Sequence, residues 1–65
     1  MSGKRLAKLA EANGWVLKRV TGSHHIYAKA DEAKILTVPI HGNKDLRPGT
    51  QRSIMKTANI SADEL

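Results

Sequence analysis

The chain has 65 residues, no cysteine, and eleven Lys and Arg against six Asp and Glu, for a formal charge of +5. A chain this short buries only about 60% of the surface its unfolded form exposes, so it is read as one domain over residues 1–65, with room for one layer of helices on one sheet. A disulfide framework and thiolate metal sites are excluded, and so is a dinucleotide-binding βαβαβ half.

The elements follow in chain order. Residues 2–13 are expected to form a helix: Ser2 is a good cap, Leu6, Leu9, Ala10 and Asn13 recur with helical spacing, and Gly14 stops the run. Residues 15–20 are rich in strand formers, and Thr21-Gly22-Ser23 is a turn cluster. Residues 24–30 alternate, with His24, Ile26, Ala28 and Ala30 on one side and His25, Tyr27 and Lys29 on the other. Asp31-Glu32-Ala33 turns the chain into a third strand, Lys34 to Pro39, which ends because proline cannot donate to a ladder.

Residues 40–47 form a polar loop, and Pro48 opens a second helix running to about Ala58, with Ile54, Met55 and Ala58 on its apolar side. Ser61 and Glu64 have capping-box spacing, but only Leu65 follows, so one extra turn is the most expected there. The order is α-β-β-β-α. Short connections between the strands imply an antiparallel meander, and two amphipathic helices should cover one face of it. The fold class is therefore α+β.

Composition narrows the partners. Four of the six acids sit in two pairs, Asp31-Glu32 and Asp63-Glu64, which leaves the rest of the chain almost uniformly basic. Such a field attracts polyanions at long range. The longest apolar runs, Trp15-Val16-Leu17 and Ile35-Leu36, are too short to span a bilayer, and no membrane partner is expected. A small secreted domain usually carries disulfides. Their lack, with no signal-peptide pattern at Met1-Ser2-Gly3-Lys4-Arg5, leads to an expected cytoplasmic location.

Little chemistry fits these residues. There is no Gly-rich phosphate loop, no HExxH and no Cys–His metal spacing, so neither metal nor cofactor is expected. Trp15 and Tyr27 are too few for a stacking platform. Three histidines remain: His24 and His25 where the Gly22-Ser23 turn enters a strand, and His41 in the loop. Imidazole suits proton transfer at neutral pH, and RNA supplies its own nucleophile in the 2′-hydroxyl. The bland alternative makes His24, in phase with Ile26 and Ala28, a hydrogen-bonded residue at the core edge, and His25 part of a solvated strand face. Residue types and spacing do not choose among the three.

The strings Gly22-Ser23-His24-His25-Ile26-Tyr27, Leu36-Thr37-Val38-Pro39, Lys44-Asp45-Leu46 and Gly49-Thr50-Gln51-Arg52-Ser53-Ile54 come in that order. With the Asn13-Gly14-Trp15 helix stop, this arrangement resembles the HicA toxins, small mRNA interferases of bacterial toxin–antitoxin pairs. The resemblance implies the fold of a double-stranded-RNA-binding domain, in agreement with the α-β-β-β-α order. It also implies metal-independent cleavage of mRNA by one histidine of the Gly-Ser-His stretch, and a HicB-type antitoxin as partner. The motif carries the catalytic role onto His24, with His25 second. Lys18, Arg19, Ser23 and Lys29 are the residues expected to contact RNA. A non-catalytic double-stranded-RNA-binding module is the alternative, since it would use the same fold and charge.

Overall fold

The computed structural model describes residues 1–64; Leu65, the last residue after the Ser61–Glu64 pattern, lies outside them. Helix α1 spans Gly3–Ala12, and the Ser2 hydroxyl accepts the Arg5 N–H at 3.1 Å. Strands β1 (Val16–Thr21), β2 (His24–Ala28) and β3 (Leu36–Pro39) follow, then α2 (Pro48–Ala58) and a short 3₁₀ turn, Ala62–Glu64. The sheet is antiparallel with order β1-β2-β3. These are the expected elements, with strand ends moved by one or two residues.

The turn after α2 carries the reciprocal half of a capping box: the Glu64 carboxylate accepts the Ser61 N–H at 3.0 Å. It also accepts from the Asn13 side chain at 2.8 Å, tying the C-terminal turn to the end of α1. These two bonds, the Asn13 one first, hold the Glu64 carboxyl below its usual range.

Both helices pack on β3 and against each other. Leu6, Ala7 and Ala10 of α1, Leu36 and Val38 of β3, Ile54 and Ala58 of α2, and Trp15, Tyr27 and Ile60 form the core. Each large side chain so buried contributes roughly 1.5–3 kcal/mol. Two contacts set how α1 lies on the sheet. At its start, Gly3 sits so close to the Pro39 carbonyl that a β-carbon would overlap it. Near its end, the Tyr27 hydroxyl donates to the Glu11 carboxylate at 2.9 Å. At the far end of α2, the Trp15 indole N–H donates to the Ala58 carbonyl at 3.3 Å, so the one tryptophan is buried with its polar atom satisfied.

The alternation in β2 is as expected, and it is the Tyr27 side that faces inward, not the side that a core-edge His24 would need. Tyr27 is only 1% exposed and defines the helix-facing side. His25 shares that side, and His24, Ile26 and Ala28 lie on the face away from the helices. The physical reason is volume: the space under α1 takes the large ring of Tyr27, which the small Ala28 would not fill. His24 is thus exposed on the open face rather than a core-edge residue, and His25 is the half-buried member of the pair.

Candidate nucleic-acid interface and histidine site

The β1–β2 connection is the two-residue turn Gly22-Ser23, closed by the Thr21–His24 pair. Gly22 has φ of +59°, which fits a hairpin turn with glycine at its first central position. A β-carbon there would meet nothing within 4 Å, so the turn stands clear of the rest of the chain. The Ser23 carbonyl accepts the Ile40 N–H at 2.7 Å, which ties the turn to the end of β3.

His24 follows directly, paired with Thr21 on one side and Pro39 on the other. His25 is paired with Val20 and Val38, so its ring is set between two β-branched side chains on the helix-facing side. The two histidines therefore address opposite faces of the sheet.

A β-bulge decides where the cations go. The register passes from Leu17 opposite Tyr27 to Arg19 opposite Ile26, leaving Lys18 as the extra residue. Strict alternation would send Lys18 and Arg19 to opposite faces. With the bulge, Arg19 shares the open face with Ile26 and His24. Lys18 reaches that face too, since with Val16, Ala28, Lys29 and Ala30 it lines a shallow cleft there.

The structure thus brings Lys18, Arg19 and His24 onto one open surface. Lys29 shares the cleft with Lys18 but is far from the histidine: five residues beyond His24, it lies roughly 16 Å away along an extended chain, and its aliphatic stem runs beside Gly14. Ser23 is half-buried at the turn, with its backbone engaged.

A second cluster was not singled out from the sequence. The Lys44 N–H donates to the His41 carbonyl at 3.0 Å, closing a turn through Gly42, whose φ is +60°. That turn folds Lys44 back beside His41. Ser2 bridges to Asp45, and the Leu46 N–H donates to the Met1 carbonyl at 2.9 Å, so the loop is pinned to the N-terminus. The result is a cleft of about 310 Å³ lined by Pro39, His41, Lys44, Asp45, Leu46, Arg47 and Thr50. The spacing of cations after Pro39 was visible in the sequence; their convergence on His41 needed the turn.

Among the described residues, no three His, Cys, Asp or Glu side chains gather as a possible metal-ligand set. No helix among them is long and apolar enough to cross a membrane.

These features define a small basic α+β domain whose open sheet face carries a histidine among cations. The family model for the HicA toxin of bacterial toxin–antitoxin systems matches residues 3–60. The chain belongs to that family, and its role is that of a toxin paired with an antitoxin. No curated protein matches the chain.

Proposed function

We propose that the chain is an endoribonuclease that cleaves mRNA without a metal, with His24 as general acid or base and His25 as the second candidate. The observation that carries this reading is the placement of His24: exposed, beside an open glycine turn, on the same face as Lys18 and Arg19. Membership in a toxin family supports it. Lys18, Arg19 and Lys29 contact phosphates, and Ser23 presents the turn to the backbone of the RNA. A HicB-type antitoxin would inhibit by covering the histidine and the basic face.

The chemistry follows from what the residues offer. No side chain here has an evident means of activating water strongly, so the 2′-hydroxyl of the RNA is the nucleophile and imidazole assists its deprotonation. Products should end in a 2′,3′-cyclic or 3′-phosphate. His25 has the more fixed surroundings, while His24 has free access to a polymer.

The test is cleavage of RNA by purified wild type, His24→Ala and His25→Ala, with excess chelator present. His24→Ala should lose about 10²–10⁴ in rate, keep its circular dichroism and still bind RNA, while His25→Ala loses much less. The reverse order would move the role to His25. Chelator-sensitive cleavage, or products with 3′-hydroxyl ends, would refute the mechanism. Tight RNA binding with no cut would favour the non-catalytic double-stranded-RNA-binding module, whose architecture this fold shares.

A further inference from the structure

One imidazole cannot readily take the 2′-hydroxyl proton and also give a proton to the leaving oxygen in the same step. We propose that His41 is the general acid, with Lys44 and Arg47 holding the scissile phosphodiester in the cleft that His41 lines. This assignment rests on the ribonuclease reading above and deepens it.

Three observations converge. First, the cleft begins at Pro39, the cross-strand partner of His24, and paired residues project to the same face. Second, the ladder continues one step past that pair through the Ile40–Ser23 bond, so the segment leading to His41 is tied to the turn leading to His24. Antiparallel partners have Cα atoms about 5 Å apart, and two further residues of extended chain add about 7 Å. The Cα atoms of His24 and His41 are then roughly 9 Å apart by the same geometry. Imidazoles carried on Cα atoms at that separation can reach opposite oxygens of one phosphodiester. Third, the backbone that carries His41 is held on both flanks, by the Ile40–Ser23 bond before it and by the His41–Lys44 turn and the Met1–Leu46 and Ser2–Asp45 pairings after it.

The step balances without water. His24, neutral, takes the 2′-hydroxyl proton as the 2′-oxygen bonds to phosphorus. The bond from phosphorus to the 5′-oxygen breaks, and that oxygen takes its proton from cationic His41. The products are a 2′,3′-cyclic phosphate and a 5′-hydroxyl. The other charged groups facing His41 in the cleft are Lys44, Asp45 and Arg47, and the two cations offset the charge that develops on the phosphoryl oxygens.

The experiment uses the wild type, His41→Ala and His24→Ala on two RNAs of the same mapped cut site. One is natural, and one has sulfur in place of the bridging 5′-oxygen. A thiolate leaves without a proton, so the second substrate does not need the acid. His41→Ala should be slower by about 10²–10⁴ on the natural RNA and within a few-fold of wild type on the sulfur-bridged one. His24→Ala should be slow on both.

Equal rates for His41→Ala and wild type on natural RNA would overturn the assignment. So would a His41→Ala protein with native circular dichroism that is slow on both substrates, because that pattern marks a binding or structural role. A wild-type chain that cuts neither RNA would instead overturn the ribonuclease reading itself, and this assignment with it.

Discussion

Replacing Tyr27 with Phe removes one hydroxyl and leaves the ring that fills the core. Burial, together with the hydrogen bond to the Glu11 carboxylate and that group's charge, pushes the Tyr27 phenol from 10.0 up to about 12. The folded chain therefore holds this proton more tightly than the unfolded chain does. A raised pKa contributes stability that is fully present below about pH 10 and is lost as pH rises through about 12. Two pH units at about 1.4 kcal/mol each come to about 2.8 kcal/mol, a large share of the roughly 3–10 kcal/mol expected for a domain of this length.

The substitution should cost about 1.5 kcal/mol at pH 8, the lower end for a bond to a charged acceptor, because Glu11 is exposed and regains water. The variant has no phenol to ionise, so the gap should close near pH 11, where about 1.4 kcal/mol of that stability is lost, and be reversed at pH 12. Urea unfolding followed by Trp15 fluorescence at pH 8, 10, 11 and 12 measures it. Subtracting the variant's profile cancels the lysines that titrate in the same window. Parallel profiles for the two proteins would refute the reasoning, and with it the Tyr27–Glu11 contact that fixes α1 over β2.

Two further outcomes are expected. Gly3→Ala would drive a β-carbon into the Pro39 carbonyl and lift the start of α1 from β3, lowering stability by about 1–3 kcal/mol; an unchanged urea midpoint would mean that the helix does not approach so closely. Binding of an uncleavable 2′-deoxy-substituted RNA should weaken steeply with salt, with a log–log slope of about −0.7 per phosphate contacted for single strands. Lys18→Ala with Arg19→Ala should then flatten that slope by about 1.4, whereas an unaltered slope in a fluorescence-anisotropy titration would remove the open face from the interface.

The sequence was enough for the elements and their order. Ser2, Gly14, Gly22, Pro39 and Pro48 are local signals, each acting within a few residues, and helices and strands begin and end beside them. Helical spacing likewise named Leu6, Ala10, Ile54 and Ala58 as core, because periodicity within one element is enough to mark its apolar side. The motif around Gly22-Ser23-His24 was legible for the same reason: it is contiguous.

What depended on packing was not legible. Alternation in β2 shows that His24 and His25 face opposite ways, but which way is inward depends on the space beneath α1, and Tyr27 takes it. The bulge at Lys18 sends two neighbouring cations to one face, an outcome set by pairing with β2 rather than by the residues themselves. The cleft of His41, Lys44 and Arg47 exists because the N-terminal residues pin the loop from a distance in sequence. Local conformational preference acts over a few residues and can be read along the chain. The choice of face, register and neighbour is made by contacts between segments far apart, and only the folded tertiary structure brings those together.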